Sequence, residues 1–409
     1  MSHRLATAAF GLAAALLWPR PGAAQPTELT LEEALALARQ QAPALLEAAG
    51  RVAEAQGPLA GAAPLLRENP TLETEAGPRT LANGARGVDV AVGLSQSIEL
   101  GGKRGARLEA ARAGVGREIA QQRDMERRVL GEVAATFLHT LHAQGRLRLA
   151  RAAEEAAQDT ARSVQRRFEA GDVPVVDVNV ARVALARARA EVAGMEGEEA
   201  ALLGELRALL GLPAEHTLGV RGDLRALASR PVAPSPSPSV RPDIATIEAE
   251  LAQAEAELRL GKRSALPDVE VGVRYQREAD ESAVLGTLRV PLPLFARGQE
   301  ARVTGEARLQ RLRGALEAAR RARDVQVAAA LTLQRKRQEA MELLEREALP
   351  LLTDNESLSR RSYEAGEMGL AEFLLVRRDT LEARAAYLDS LLQAALARVQ
   401  LAVETGALP

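Results

Sequence analysis

The sequence predicts a mainly α-helical chain with a smaller membrane β part, built as two similar halves. Three observations lead to this prediction: a composition suited to long helices, two stretches of alternating apolar residues, and a sequence motif that occurs twice. Aromatic residues make up only 2% of the 409 residues, whereas charged residues account for 26%. This composition is typical of long helices and coiled coils, because small Ala-rich seams let helices pack closely without bulky side chains.

The N-terminus has the features of a secretory signal peptide over residues 1–24. An apolar run from Leu5 to Trp18 follows a weakly basic start, and small residues lead to Ala24. The run is shorter than the roughly 20 residues of a membrane-spanning helix, and a short buried helix is the alternative. The chain has no cysteine, which excludes disulfides, thiolate metal sites and a lipidated cysteine. A net charge of −2 gives no electrostatic reason to expect nucleic acid as a partner.

The first half, residues 25–230, is predicted to start with a helix from Leu31 to Gln56 and to continue into a β-hairpin at 70–100. Apolar residues in "VDVAVGLSQSIEL" recur at every second position, with small or charged residues between them. A period of two is typical of a strand with one apolar face. The shorter stretch "PTLETEAG" supplies the partner strand.

A long helical hairpin is predicted at 103–210. No proline occurs from Lys103 to Glu169, so a single helix over this stretch would be roughly 100 Å long. In "FEAGDVPVVDV", Gly171 fits the left-handed position that ends a helix, and Pro174 fits the first turn of the next one. That second helix is predicted to reach about Leu210.

The second half, residues 244–409, repeats this arrangement. It is predicted to contain a helix from Ile244 to Gly261, a β-hairpin at 267–294 and a helical hairpin at 299–405 with a kink or short break at Pro350. Its turn, "YEAGEMGLAEF", lies about 195 residues after its counterpart without a gap, which indicates an internal duplication. A Pro- and Ser-rich linker at 231–243 joins the halves.

The alternating strands allow two interpretations. One is a soluble two-layer sheet with a wet face, and the other is a membrane β-barrel with lipid outside and water inside. The barrel suits an exported chain whose other strand face offers only small or charged residues. Four strands cannot close a barrel, and open strand edges are not tolerated in hydrocarbon. A membrane sheet would therefore require several chains to pool their strands.

The repeated Glu-Ala-Gly turns, the duplication, the stretch "QSIELGGKRGARLEAA" from Gln96 and the signal peptide resemble the TolC family of outer-membrane efflux ducts. The sequence of these motifs is most similar to the branch of the family that serves heavy-metal (cobalt-zinc-cadmium type) pumps. The resemblance implies a homotrimer with a 12-stranded β-barrel, four strands per chain, in the lipid of the outer membrane. A long periplasmic α-helical barrel would continue it, and its tips would meet a periplasmic adaptor (membrane fusion) protein and an inner-membrane RND-type pump.

The resemblance also implies roles for residues at the hairpin tips. The small-residue turns that contact the adaptor match Ala170 with Gly171 and Ala365 with Gly366. The acid at the family's constriction matches Glu372, with Asp177 as its counterpart in the first repeat; a second acid one turn later is replaced by Leu375. We hypothesise that Glu372 and Asp177 set cation preference and gating, and the alternative is that both acids only favour a helix N-terminus. Only Tyr275 and Phe295 are aromatic near the strands, so the interfacial aromatic girdle is thin.

Other features point to no catalytic, cofactor or metal site. His139 and His142 could form a metal pair, but no third ligand is evident, and exposed helix histidines are the alternative. No set of nucleophile, base and orienting group occurs, so an enzyme is not expected. Two other classes remain: a periplasmic adaptor, which would carry one hairpin within β-domains, and an exported coiled-coil scaffold, which would not need strands at two equivalent places.

Overall fold

The computed structural model describes residues 27–80, 84, 86–230, 241–278 and 281–407. The predicted signal peptide, with Trp18, lies outside the described residues, and so does the predicted linker apart from residues 241–243.

The two halves contain the same succession of long elements. The first half comprises β1 (Thr27–Leu29), α1 (Leu31–Gln41), α2 (Pro43–Glu54), α3 (Gln56–Ala62), β2 (Thr71–Thr80), β3 (Arg86–Ile98), α4 (Lys103–Glu169), α5 (Val175–Leu209), β4 (Leu218–Val220) and α6 (Leu224–Ser229). The second half comprises α7 (Pro242–Ser264), β5 (Val269–Glu278), β6 (Glu281–Arg289), α8 (Gln299–Leu343), a π-helical turn (Leu344–Ala348), α9 (Leu349–Glu364) and α10 (Leu370–Thr405). Among these described residues, no helix is long and apolar enough to cross a membrane.

The first predicted helix is interrupted, which corrects the expectation of one helix from Leu31 to Gln56. Pro43 lacks an N–H and disfavours helical backbone at the residue before it. Ala42 accordingly takes an extended conformation (φ −58°, ψ 127°) between α1 and α2. The helical path then continues through α3, which ends beyond the predicted boundary.

The four long strands form one antiparallel sheet in the order β2-β3-β5-β6. The two hairpins, which are distant in sequence, pair directly through β3 and β5, from Asp89 opposite Glu278 to Ile98 opposite Val269. All four helix junctions lie at one end of the sheet, because each hairpin is entered from a helix and leaves into a helix. β2 and β6 are the open edges of the sheet within one chain.

The sheet is apolar on its exposed face and charged on its shielded face. Val88, Val90, Val92 and Leu94 of β3 are exposed, whereas the residues between them are buried or half-buried. This is the reverse of a soluble sheet, in which the apolar face is the buried one. The apolar side chains of the neighbouring strands lie in register with these and are also exposed: Leu72, Val271, Val273, Tyr275, Val284 and Leu288.

Charged side chains on the other face are paired across strands. Arg79 donates to Asp89 at 2.7 Å and to Glu278 at 2.6 Å, so it spans three strands. Further pairs join Arg274 to Glu75 and Arg289 to Glu270. The sheet therefore combines an apolar outer face with a salt-bridged inner face, the arrangement of a membrane strand that lines water.

The strand β6 ends earlier than the predicted hairpin, which reached Leu294. The last paired residue is Arg289, opposite Glu270. Pro291 and Pro293 follow, and they lack the N–H that would continue the ladder. Residues 290–294 therefore leave the sheet as an unpaired segment.

The helix with Pro350 contains a local distortion and no interruption. α8 passes into the π-helical turn, and Pro350 then lies in the first turn of α9. Pro350 has no N–H to donate to this turn. The wider π turn absorbs the clash of the proline ring with the preceding turn. The predicted kink is thus a π turn just before Pro350.

The main core lies halfway along the helices, where both halves meet. Phe137, Leu138 and Val133 of α4 are almost fully buried there, together with Leu206 of α5 and Leu391 of α10. α1 and α2 cover this core from one side. A short parallel pair, β1 with β4, completes it, and neither strand was predicted from the sequence.

Arg241 joins the second half to the end of the chain through a buried set of polar contacts. Its guanidinium makes two 2.7 Å hydrogen bonds to Asp243, one of 2.5 Å to Glu404 and one of 3.0 Å to Gln326. Burial acts to raise the pKa of Asp243, but the hydrogen bonds and charge of Arg241 outweigh it, and the pKa falls below its ordinary value of 3.8. A lowered pKa means that this contribution to stability is present above the unfolded pKa and is lost as the pH falls through the folded value.

Both helical hairpins turn through the same backbone geometry. Gly171 and Gly366 have φ angles of +87° and +77°. The amide one residue beyond each glycine donates to the carbonyl five residues earlier, at 2.8 Å after Gly171 and 2.9 Å after Gly366. This is the helix-ending motif expected of glycine in the left-handed region.

We expect Arg241→Ala to destabilise the fold by about 3 kcal/mol, the lower end of the range for breaking a buried ion pair, because both acids are partly exposed. The control is Arg320→Ala, which removes an exposed pair with Glu248 and should cost at most about 1 kcal/mol. The measurement is denaturant unfolding followed by circular dichroism. Equal losses in the two variants would contradict the assigned role of Arg241.

We expect Gly366→Ala to loosen the second hairpin turn by about 1–2 kcal/mol, because alanine is strained at positive φ. Hydrogen exchange at the amide of Glu367 should then quicken by about 5–30-fold. Gly369→Ala is the matched control, since Gly369 has a φ of −73° and open space around it. Similar exchange rates in the two variants would show that the left-handed backbone does not limit this turn.

Candidate functional site at the tips of the helical hairpins

The tips of the two hairpins pack against each other within one chain. A small apolar cluster joins them: Val164, Val178, Ala181, Tyr363, Leu370 and Phe373. Three of these residues come from the first hairpin and three from the second. The cluster lies apart from the main core, so the tips form a separate packing unit at the far end of the helices.

An aromatic stack distinguishes the second hairpin from the first. The rings of Tyr363 and Phe373 lie 4.7 Å apart and nearly parallel, at 9°. The guanidinium of Arg167, from the first hairpin, lies 5.7 Å from the centre of the Tyr363 ring. The stack pins the two sides of the second turn together, and the arginine adds a contact between hairpins.

Arg377 is a second contact between the hairpins that was not predicted. Its Nη1 donates to the carbonyl of Ala156 at 3.0 Å and to the hydroxyl of Thr160 at 3.2 Å, both on α4. Burial lowers the pKa of the guanidinium, while the nearby Glu356 acts to raise it. The equivalent arginine of the first repeat, Arg182, bonds Gln165 of its own hairpin instead. The two equivalent arginines of the repeats therefore make different contacts.

The predicted gate residues lie on or near the tip surface. Glu372 is exposed in the first turn of α10, and Asp177 is half-buried in the first turn of α5. Leu375, which stands where a second acid was expected, is 48% exposed. The accessible carboxylate of Glu372 next to an apolar Leu375 can present negative charge to a solute at the tip.

Leu375 also lines a groove of about 940 Å³ between α5 and α10, with α4 as its floor. Val176, Val180 and Val183 form the opposite wall, and Arg377 lies at the base. The groove brings apolar residues from both repeats together. Sequence alone did not reveal it, because α5 and α10 are not neighbours in the chain.

The turn residues assigned to partner contact are all accessible. Ala170 and Gly171 end the first hairpin, and Ala365 and Gly366 end the second, with every one of them exposed. Since small side chains leave backbone accessible at both turns, the turns are suited to close contact with another helical protein.

The two histidines do not form a metal centre in the described part of the chain. His142 contacts Asp389 through Nε2 at 2.7 Å, and Arg146 approaches the same carboxylate at 3.3 Å. The described residues contain no group of three or more His, Asp or Glu side chains that could hold a metal ion. His142 instead joins α4 to α10.

The lateral edges of the chain are left without partners within one copy. α5 packs mainly on α4, and its Val175 is exposed. On the other side, α9 exposes Leu351 and Leu358. The sheet has two open edges in the same way. The helical part and the sheet thus each have two lateral surfaces that another copy could cover.

Known proteins share both the sequence pattern and the fold. The profile of the family described as "Outer membrane efflux protein" matches residues 34–212. The cobalt-zinc-cadmium resistance protein CzcC of Cupriavidus metallidurans is 27% identical over 72% of this chain and 71% of its own. The nickel-cobalt-cadmium resistance protein NccC of Alcaligenes xylosoxydans xylosoxydans is 28% identical over 58% and 56%. The pyoverdine export outer membrane protein OpmQ of Pseudomonas putida is 26% identical over 66% and 62%.

Solved structures match over nearly the whole chain. A crystal structure of CusC covers 95% of this chain and 95% of its own, with a TM-score of 0.72 and 20% identity. A membrane protein from Pseudomonas aeruginosa covers 92% of both chains, with a TM-score of 0.77 and 19% identity. These likenesses confirm the predicted TolC-like fold, mainly α with a β part. Together with the profile and the relatives, they show that this chain is similar to outer membrane efflux proteins in sequence and in fold.

Proposed function

We propose that this chain is the exit duct of a tripartite efflux system, a homotrimeric outer-membrane channel that passes substrates from an inner-membrane pump and its periplasmic adaptor to the exterior. The observation that carries this proposal is the sheet with its apolar face exposed and its charged face shielded, continued by α4, a helix about 100 Å long. A periplasmic adaptor or a coiled-coil scaffold works in water and does not require a sheet with an exposed apolar face.

The open edges support assembly as a ring. An unpaired strand edge in hydrocarbon leaves N–H and C=O groups without partners, at a cost of several kcal/mol each. Pairing β2 of one copy with β6 of the next removes every edge once the ring closes. The same rotation would bring Val175 of α5 towards the exposed leucines of α9. Three copies would provide twelve strands, within the known range for membrane barrels.

The hairpin tips would then form the entrance of the duct. Three copies of Glu372 around the axis repel one another and attract cations. Ala170, Gly171, Ala365 and Gly366 would meet the adaptor, and Leu375 would contribute an apolar collar. Asp177, which is less exposed, would support the charge of Glu372 from the first repeat.

Heavy-metal cations are the proposed substrates. Two relatives that match this chain are named for resistance to cobalt, cadmium, zinc or nickel. The described residues hold no metal-binding cluster, and a conduit does not need one, because a tight site would retain the ion. The pyoverdine relative supports a second candidate, export of an organic siderophore.

The function is tested by channel formation and by transport. We expect the purified protein to migrate as a heat-dissociable trimer in detergent and to conduct ions in planar bilayers. A monomer that is silent in bilayers would overturn the proposal. In a strain that lacks its own duct but retains a metal pump and adaptor, expression should lower cell-associated zinc, cobalt or cadmium. Export of pyoverdine without any change in metal content would favour the second candidate.

The gate is tested by Glu372→Gln, which removes the charge and keeps the size of the side chain. We expect reduced preference for cations in bilayers, measured as a smaller reversal potential in a salt gradient, because the ring of negative charge is lost. Glu382→Gln is the control, since Glu382 lies on the same helix about 15 Å further from the tip. Unchanged selectivity in the Glu372 variant would leave this residue with only its helix-terminal role.

A further inference from the structure

A set of exposed apolar side chains lies at the end of the sheet where the helices begin. It consists of Leu65, Leu66, Leu266, Leu292, Leu294 and Phe295, and we name it the junction collar. Phe295 is 87% exposed and Leu292 is 73% exposed. These residues lie in the segments that connect strands to helices, so neither the sheet nor the helical hairpins account for their exposure.

The junction collar continues the apolar face of the sheet. Val284 and Leu288 lie on the exposed face of β6, and Val290, Leu292 and Leu294 follow at the same spacing of two residues beyond the last strand pair. Exposed apolar side chains therefore continue beyond the last strand pair, into a segment that turns through a hydrogen bond from the amide of Leu294 to the carbonyl of Leu292.

Arginines border the junction collar. Arg104 donates to the carbonyl of Ala63 at 2.8 Å, Arg263 to that of Gly102 at 2.8 Å, and Arg297 to that of Pro293 at 3.2 Å. All three residues are exposed, and each guanidinium fixes a connecting segment of the collar. Two acids of this region are already engaged, since Asp268 bonds Lys103 and Glu99 bonds Arg107. Apolar side chains next to free positive charge fit a surface of acyl chains and phosphate headgroups.

We propose that the junction collar is seated in the headgroup region of the periplasmic phospholipid leaflet and fixes the depth of the protein in the membrane. This rests on the proposed function, which puts the sheet in the outer membrane and the helices in the periplasm. The strands carry Tyr275 as their aromatic residue, so they lack the aromatic girdle that holds other barrels at the interface. The chain also has no cysteine that could carry a lipid anchor. The collar supplies the missing interfacial contact from the connecting segments.

The test places a single tryptophan at Phe295. Trp18 is the only tryptophan of the chain and belongs to the predicted signal peptide, so the processed protein is expected to provide an empty background. Phe295→Trp in this background is reconstituted into vesicles of phosphatidylethanolamine and phosphatidylglycerol that carry bromine at a chosen depth in the acyl chain. We expect the fluorescence of this tryptophan to be quenched most strongly when bromine lies near the headgroup. Interfacial side chains lie about 5–10 Å into the boundary between headgroups and acyl chains.

Two further single-tryptophan variants calibrate the result. Val284→Trp, at a site 70% exposed on the lipid face of β6, should be quenched more by bromine deeper in the acyl chain. Val325→Trp, at a site 69% exposed, lies about 39 Å along α8 from its start and should be quenched only by a water-soluble quencher.

The outcomes separate the collar from the channel itself. If Val284→Trp is quenched by bromine and Phe295→Trp behaves like Val325→Trp, the collar lies in water and the inference is overturned while the membrane sheet stands. If Phe295→Trp is shielded from both quenchers, a protein surface covers it, which also overturns the inference. If bromine quenches none of the three, the proposed membrane location fails as well.

Discussion

The structure depends on the fact that a sheet in hydrocarbon cannot leave its backbone unpaired. The four strands of this chain expose their apolar side chains outwards and turn their arginines and acids inwards, which makes sense only if lipid lies outside and water inside. Such a sheet has two edges, and both must find partners. Because backbone N–H and C=O groups in hydrocarbon must be hydrogen-bonded, the edge strands must pair with strands of other copies and close the sheet. This closure then sets the positions of the helices that continue from the strands.

The internal duplication gives the chain two hairpins with the same turn and different contacts. Both end in a left-handed glycine with the same hydrogen bonds, so the turn itself is a shared structural solution. Around it the repeats have diverged. The second hairpin stacks Tyr363 on Phe373, whereas the residue equivalent to Phe373 in the first hairpin is Val178. Arg377 reaches across to α4, whereas Arg182 remains within its own hairpin.

Charge is distributed along the chain in a way that suits a conduit. In the sheet, the arginines of the inner face are bonded to carboxylates of neighbouring strands, which holds them against the wall. At the junction, Arg104, Arg263 and Arg297 hold connecting segments by their carbonyls. At the tips, Glu372 is exposed. A solute moving along the inner face of the sheet would meet charges that are paired across strands, and Glu372 presents an exposed carboxylate at the hairpin tips.

The sequence by itself determined the periodic and local features of this protein. Its period of two placed the strands, its lack of proline placed α4, and the repeated Glu-Ala-Gly placed both turns, because each depends on neighbouring residues. It also pointed to Glu372, Asp177, Leu375 and the turn residues through family resemblance, although their roles remain predictions. Local sequence gave less guidance where proline acted on its surroundings: Pro43 divided the first helix, and Pro291 and Pro293 ended β6 early.

Only the tertiary structure decided which distant segments meet. The pairing of β3 with β5, the tip cluster, the bond from Arg377 to Ala156 and the parallel pair of β1 with β4 all join residues far apart in the chain. Nothing in a local pattern specifies such contacts, since they arise when whole elements are brought together by packing. The same is true of the junction collar, whose leucines look unremarkable in sequence and come together only when three separate connections lie at one end of the sheet.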